Sequence, residues 1–157
     1  MNYKRTRSTG TLKINILNLQ DRLPVNRIRI KEAIIKTFAL ERVRKKGEIT
    51  VCLLDDKTIR GLNLRHLRKN ERTDVLSFSL KPENSREITL DIAVSTERAA
   101  DNAKIFSTAP LYEMYLYVVH GVLHALGYTD KDEKGKRIMA DKASKVLSAL
   151  NINYAHT

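Results

Sequence analysis

The chain has 157 residues, a formal net charge of +11, and 42% hydrophobic and 30% charged residues. This length suits one compact domain, and the single cysteine, Cys52, excludes an internal disulfide bond. No apolar run approaches the ~18 residues of a membrane span, and no apolar segment follows the basic N-terminus as in a secretory signal. We therefore expect a cytoplasmic protein with no membrane partner, whose positive charge favours a polyanionic ligand.

Most of the positive charge lies in four segments, which are residues 1–10, 25–46, 60–72 and 131–146. Together they carry +16, and the remaining residues carry −5. Clustered bases can follow the phosphates of a nucleic acid, although solvated helix faces have the same composition. We interpret residues 1–11 as a flexible basic tail and residues 12–153 as a single domain.

Hydrophobic periodicity predicts four strands and five helices. In chain order they are a strand over 13–19, a helix over 25–46, a strand over 48–54 and a helix over 57–67. Two strands over 73–80 and 88–95 follow, and then three helices over 96–106, 110–126 and 131–150. Two strand–helix–strand connections favour parallel pairing, and the short turn before the last strand requires an antiparallel pair. The expected fold is a single α/β domain of mixed α+β type, in which helices pack a four-stranded mixed sheet.

Charged residues and glycines mark the expected helix ends. The basic run from Arg42 to Lys46 suits the negative end of the first helix, and Gly47 is predicted to be its C-cap. Asp55 and Asp56 follow the second strand, where they are predicted to cap the next helix.

The helix over 110–126 is apolar nearly all round, so we expect it to be central and buried. It carries the candidate chemistry, because two histidines interrupt its apolar sequence. His120 and His124 are one turn apart on the same face, so both rings can reach one metal ion. Asp130 follows six residues later, and two imidazoles with a carboxylate leave an open position, as in catalytic zinc sites. Glu113 is either a partner of a ligand histidine or a solvated first-turn residue that favours the helix dipole.

Histidine pairs at this spacing also occur by chance, as a polar stripe against another element. Two imidazoles on one buried face are costly without partners, and this favours a metal. Gly121 costs about 1 kcal/mol in a helix relative to alanine, so we expect another element to approach closely there. It also stands where the H-E-x-x-H peptidases place their general base, which argues against a peptidase of that type.

Four segments of the chain form a recognisable set, which is Leu62–Asn63, TDVLSF over 73–78, LDIAVS over 90–95 and HGVLHALGY over 120–128. This set resembles the YbeY endoribonuclease family of bacterial metalloproteins. HGVLHALGY resembles the family's H-G-x-L-H-x-x-G-Y-D-H, and TDVLSF looks like its T-D-V-L-S-F segment. LDIAVS over 90–95 resembles the family's G-D-I-x-I-S strand, and residues 62–63 resemble its L-N pair. These matches run in family order.

The resemblance implies a zinc-dependent endoribonuclease of single-stranded RNA that acts in ribosomal RNA processing, including maturation of the 16S rRNA 3′ end, and in ribosome quality control. It implies Zn²⁺, or another divalent transition metal, held by His120, His124 and Asp130. It also implies the ribosome or its small subunit as a partner. Metal-activated hydroxide and the RNA 2′-hydroxyl are both candidate nucleophiles.

Two departures from the family pattern concern the site. The family's third ligand histidine aligns with Asp130, a carboxylate that also binds zinc but can change metal preference. The family's arginine aligns with Leu67, so Arg68, or else Arg65, is the candidate catalytic residue that stabilises charge on the phosphate. The predicted RNA-binding residues are Arg65, Arg68, Lys69 and Arg72.

Two other functions fit the sequence. A non-catalytic RNA-binding factor of ribosome assembly with a structural metal explains the charge equally well, and the Asp130 departure supports it. A metal hydrolase of a small molecule predicts weak salt dependence of substrate binding, whereas RNA binding weakens steeply with salt. Aromatic residues are only 6% and tryptophan is absent, which argues against base-stacking surfaces of the RRM or OB type.

Overall fold

The computed structural model describes residues 11–69 and 73–155. The predicted tail lies outside the described residues except for Thr11. The elements are β1 (Leu12–Asn18), α1 (Arg27–Leu40), β2 (Lys46–Leu54), α2 (Asp56–Leu67), β3 (Val75–Ser79), β4 (Glu87–Ser95), α3 (Thr96–Phe106), α4 (Pro110–Ala125) and α5 (Glu133–Ala149). Every predicted element is present in the predicted order.

The four strands form one sheet in the order β1–β2–β4–β3. β2 pairs in parallel with both β1 and β4, whereas β3 pairs antiparallel with β4. This confirms the single mixed α/β domain that the crossovers and the short turn predicted.

α1 ends earlier than the sequence predicted. The Asn26 side chain caps its first turn by accepting a hydrogen bond from a backbone amide. The helix stops at Leu40, and Arg42 then adopts a left-handed conformation with a φ of 56°. The prediction that Gly47 caps this helix is therefore wrong. Gly47 lies inside β2, where a side chain would meet the backbone carbonyl oxygen of Ile88 at 2.0 Å.

α2 begins where the sequence predicted. The Asp55 side chain accepts a hydrogen bond from the Thr58 amide at 2.7 Å, so Asp55 is the N-cap. The helix packs through Ile59 and ends at Leu67. The basic residues Arg68 and Lys69 follow the helix directly, at the start of the connection that leads to β3.

Helices cover the two faces of the sheet unequally. One face packs against α1, α4 and α5 in the main hydrophobic core. The other face carries α2, which contributes to a smaller cluster. α4 is buried over nine of its 16 residues, which confirms the predicted central helix. Among the described helices, none is both long and apolar enough to span a membrane.

Candidate active site on helix α4

α4 has ends that its sequence explains. It begins at Pro110, whose missing N–H costs nothing in the first turn. Just beyond its last residue, Gly127 adopts a φ of +98°, a conformation that favours glycine. The Gly127 amide donates to the carbonyl oxygen of His124 at 3.0 Å. This turn reverses the chain and returns Tyr128 and Asp130 to the end of the helix.

Gly121 lets the sheet approach α4 closely, as predicted. A β-carbon at this position would lie 2.7 Å from Cγ2 of Ile92 and 3.2 Å from Oγ of Ser77. The Ser77 hydroxyl donates to the carbonyl oxygen of Gly121 at 2.8 Å. The contact therefore fixes the height of the histidine-bearing turn above β3 and β4.

His124 is held by the turn that follows its own helix. Its Nδ1 lies 3.0 Å from the backbone carbonyl oxygen of Tyr128. Because a carbonyl oxygen can only accept, Nδ1 of the neutral ring carries the hydrogen, and the lone pair is left on Nε2. That Nε2 lies 3.8 Å from Oδ2 of Asp130. A backbone carbonyl on one ring nitrogen and an available second nitrogen is the usual arrangement of metal-binding histidines.

His120 lies one turn earlier and deeper. Its Nε2 is buried and has no hydrogen-bond partner among the described residues. Burial lowers the pKa of His120, because the charged ring loses its hydration. The charge of Asp74 acts in the opposite direction, His124 lowers the pKa further, and Asp130 raises it. The net effect keeps the ring neutral, and this is the state that binds a metal.

The chemistry of these residues fits a metal ion, although the described residues do not form a finished site. Within 11–69 and 73–155, no three His, Cys, Asp or Glu side chains are gathered closely enough to hold one. The Asp130 side chain is 59% exposed. A buried nitrogen without a partner is rare and costly, however, and a metal ion would satisfy it at His120. We call His120, His124 and Asp130 the histidine site.

Sequence reasoning did not assign Asp74 to this site. Its charge raises the pKa of His120, so the carboxylate lies within electrostatic reach of the ring. It precedes β3, where its Oδ1 accepts a hydrogen bond from the Val75 amide at 2.8 Å and its carbonyl oxygen accepts one from the Ser95 amide at 2.9 Å. The signal that could have found it is the TDVLSF segment, in which it is the only charged residue.

Glu113 lies in the first turn of α4, two turns before His120. Its side chain is buried, and its Oε1 accepts a hydrogen bond from the Thr108 hydroxyl at 2.5 Å. The solvated alternative for Glu113 is therefore wrong. The bond ties the carboxylate to the loop before α4, and its role as partner of a ligand histidine stays a prediction.

The predicted RNA-binding residues lie where α2 ends. Arg65, Arg68 and Lys69, which we call the basic end of α2, are all exposed. Arg68 adopts a left-handed conformation with a φ of 54°, and Nε of Arg65 donates to the carbonyl oxygen of Gly61 in its own helix at 3.4 Å. Within the described part of the chain, no hydrogen bond or ion pair joins them to the histidines. Arg72 lies outside that part.

A cleft of about 230 Å³ opens beside His124. Its other lining residues are Ser77, Ser79, Lys81, Glu83 and Ala125. Lys81 supplies a positive charge there, and its Nζ lies 3.8 Å from the carboxylate of Glu87. The Lys81 cation beside His124 suits a ligand that carries a phosphate, and the carboxylate of Glu83 in the same lining offsets part of its charge.

The fold and the site define a class of protein: a small mixed α/β domain whose buried central helix presents two histidines beside a carboxylate and a polar cleft. Over residues 15–151 the chain matches the family described as Endoribonuclease YbeY. It is 36% identical over 140 residues to the Endoribonuclease YbeY of Carboxydothermus hydrogenoformans, covering 87% of this chain and 96% of that protein. The chain belongs to the YbeY endoribonuclease family.

Other relatives agree with this membership. The Endoribonuclease YbeY of Caldicellulosiruptor bescii is 31% identical over 156 residues, covering 90% of this chain and 99% of that protein. A solution structure of a protein from Thermotoga maritima shares the fold, with a TM-score of 0.56 and 23% identity over 88% of this chain and 91% of that one. The resemblance seen in the sequence is thus confirmed, and membership supports an endoribonuclease role with RNA as the substrate.

Proposed function

We propose that this protein is a zinc-dependent endoribonuclease that cleaves single-stranded RNA at the histidine site. His120, His124 and Asp130 would hold the metal, which is zinc or another divalent transition metal. The observation that carries the proposal is the state of Nε2 of His120. This buried nitrogen has no hydrogen-bond partner among residues 11–69 and 73–155, and it lies on the same helix face as His124. When bound there, zinc supplies Lewis-acid chemistry to a phosphate and a water molecule.

The chain's own residues orient the reactants in this proposal. The Tyr128 carbonyl holds the His124 ring, and burial keeps His120 neutral. Arg68, or else Arg65, would stabilise negative charge that grows on the phosphate. Lys81 brings a further cation to the cleft beside His124. The exposed bases at the end of α2 would hold the RNA backbone by its phosphates.

The biological setting that we propose follows the family resemblance. The substrate would be ribosomal RNA, including the 3′ end of the 16S rRNA, and the partner would be the ribosome or its small subunit in the cytoplasm. The net charge of +11 supports this setting, because a strongly basic surface raises both the affinity and the association rate for RNA.

A second candidate function rests on two residues. Asp130 stands where the family pattern has a histidine, and its side chain is 59% exposed. Leu67 stands where the pattern has an arginine. Both departures favour a non-catalytic RNA-binding factor of ribosome assembly whose metal, if bound, is structural.

The test measures bound zinc and RNA chain ends in the same preparations. Wild-type protein is expected to bind one zinc ion per chain. In His124→Ala the zinc affinity is expected to fall by more than about 100-fold, because the loss of a ligand exceeds the 10–100-fold cost of losing a ligand's partner. Asp130→Ala is expected to bind zinc more weakly than wild type. His66→Ala is the matched control, since that histidine packs against Phe78 instead.

The outcomes separate the candidates. New RNA ends that appear with zinc and disappear after its removal support the endoribonuclease. Zinc binding without new ends supports the assembly factor. Full cleavage by metal-free protein contradicts metal dependence, and equal zinc content in wild type and Asp130→Ala removes Asp130 from the site.

A further inference from the structure

Three side chains from distant parts of the sequence meet behind the histidine site. The Tyr128 hydroxyl donates to Oε2 of Glu41 at 2.6 Å, and Nζ of Lys142 donates to Oε1 of the same carboxylate at 2.9 Å. The Lys142 ammonium also lies 4.9 Å from the centre of the Tyr128 ring, within cation–π range. Each member of this cluster therefore contacts the other two.

The cluster joins three elements. Glu41 directly follows α1, Lys142 belongs to α5, and Tyr128 lies in the connection between α4 and α5. The Glu41 side chain is only 11% exposed. Burial raises the pKa of its carboxyl, but the hydrogen bonds from Lys142 and Tyr128 outweigh burial and hold the pKa below its usual value. Glu41 is thus a charged anchor whose two carboxylate oxygens accept hydrogen bonds from Tyr128 and Lys142.

Tyr128 connects this anchor to the histidine site. Its side chain is bound to Glu41, while its backbone carbonyl faces Nδ1 of His124 at 3.0 Å. Asp130 follows two residues later, with Oδ2 at 3.8 Å from Nε2 of His124. Any shift of Tyr128 therefore moves both the carbonyl that orients the ring and the carboxylate that faces it.

We propose that Glu41 and Lys142 are positioning residues that act through Tyr128 to set the orientation of His124 and the place of Asp130. This inference rests on the proposed metal-dependent function. The residues that partner a ligand histidine determine its tautomer and its basicity. Glu41 and Lys142 lie one contact further out, and they control the carbonyl that serves as the partner.

The first test reads the His124 tautomer in metal-free protein. Imidazole ¹⁵N NMR at a pH of about 8, above the ordinary histidine pKa, distinguishes a hydrogen on Nδ1 from one on Nε2. Wild type is expected to show the Nδ1–H form of His124. In Glu41→Ala and in Lys142→Met the two nitrogen shifts are expected to move toward each other, because the carbonyl no longer selects one tautomer.

The second test is zinc titration of the same proteins. We expect about 10-fold weaker zinc binding in Glu41→Ala, at the lower end of the effects of outer partners. Glu41→Gln keeps an acceptor for Tyr128 and is expected to recover part of the affinity. The matched control is Glu133→Ala, which breaks the exposed pair of Glu133 with Lys136 at 3.3 Å on α5 and is expected to leave both readouts unchanged.

Different results would overturn the proposed function and the positioning role. Wild-type protein that binds no zinc overturns the proposed function, whereas the His124 spectrum does not depend on zinc. A wild-type His124 spectrum together with wild-type zinc affinity in Glu41→Ala and Lys142→Met overturns the positioning role. If Glu41→Ala does not fold, Lys142→Met and Glu41→Gln decide the result.

Discussion

The histidine site and the basic end of α2 are built in opposite ways. At the histidine site, Ser77 binds the backbone of Gly121 and the Tyr128 carbonyl meets His124, so groups from the sheet and the following loop hold the helix and its ring. At the basic end of α2, three cationic side chains are exposed, and the described hydrogen bond of Arg65 stays within its own helix.

This difference matches the role that we propose for each region. Bond cleavage requires reacting groups that are fixed to within a fraction of an ångström. Attraction of a phosphate backbone is long-ranged and tolerates mobile side chains. We therefore expect substitutions at the histidine site to lower the rate of cleavage with little change in the affinity for RNA. Substitutions at the basic end of α2 are expected to lower the affinity, and at Arg65 or Arg68 they would lower the rate as well.

The largest effect is expected from His124→Gln. Glutamine retains polarity and approximate size but removes the nitrogen lone pair that a metal needs. The single-turnover cleavage rate is expected to fall by more than about 100-fold, since even the loss of a ligand's partner costs 10–100-fold. RNA affinity, measured in parallel by filter binding, is expected to stay within a few-fold of wild type. An equal loss of affinity and rate would contradict the separation.

The next effect is expected from neutralising the basic end of α2 with Arg65→Gln, Arg68→Gln and Lys69→Gln together. Each phosphate contact on single-stranded nucleic acid contributes about 0.7 to the slope of log affinity against log salt. The slope is therefore expected to fall by about 2, and affinity at low salt falls with it. Lys104→Gln, an exposed base on α3 outside the basic segments, is the control. An unchanged slope would remove these residues from the RNA interface.

A smaller effect is expected from Gly121→Ala. The added methyl group would lie 2.7 Å from Cγ2 of Ile92, a fully buried side chain. Overpacking of this kind costs about 1–3 kcal/mol of unfolding free energy, measured by urea denaturation. Gly61→Ala in α2 is the matched control, because, beyond its own helix backbone and chain neighbours, no atom of another described residue lies within 4 Å of a β-carbon at this position. That control is expected to gain up to about 1 kcal/mol from helix propensity, so the two substitutions differ in sign.

The smallest effect is expected from Glu41→Gln, and it depends on pH. The folded pKa of Glu41 lies below its ordinary value of 4.5, so its stabilisation exists above that value and is lost as the pH falls through the folded pKa. The hydrogen bond to Glu41 raises the pKa of Lys142, so the contribution of that lysine persists below 10.5 and is lost as the pH rises further.

The variant is therefore expected to be about 1 kcal/mol less stable than wild type between pH 4.5 and 10.5. The difference is expected to shrink as the pH falls below 4.5 and through the lowered pKa of the folded wild-type carboxyl, which then becomes protonated. Unfolding free energies at neutral and acidic pH check this expectation, and a difference that grows in acid would refute it.

Local patterns were sufficient to predict most of the fold. Four apolar residues of α1 recur at the spacing of an amphipathic helix, and all four are buried: Ile30, Ala33, Ile34 and Phe38. Gly47 was wrongly predicted to be a helix C-cap because a glycine can either end a helix or allow two backbones to approach closely. The chain uses it where β2 passes close to the backbone of β4, and a left-handed Arg42 ends the helix instead.

The candidate site was only partly visible in the sequence. His120 and His124 share one helix, so their spacing indicated a common face. Asp74 reaches the site from the connection before β3, and its approach depends on how α4 packs on the sheet. A contact of this kind can be identified only in the tertiary structure, because it leaves no periodic pattern in the sequence.

The contact between Glu41 and Lys142 spans 101 residues of chain. Long-range contacts form only after the intervening chain has been ordered, because loop closure costs entropy that local structure does not repay. During synthesis the two histidines leave the ribosome before α5 does, so Lys142 is the last residue to join the contact between Glu41 and Tyr128. The cluster that we propose to position His124 would therefore be complete only once α5 has packed against the rest of the domain.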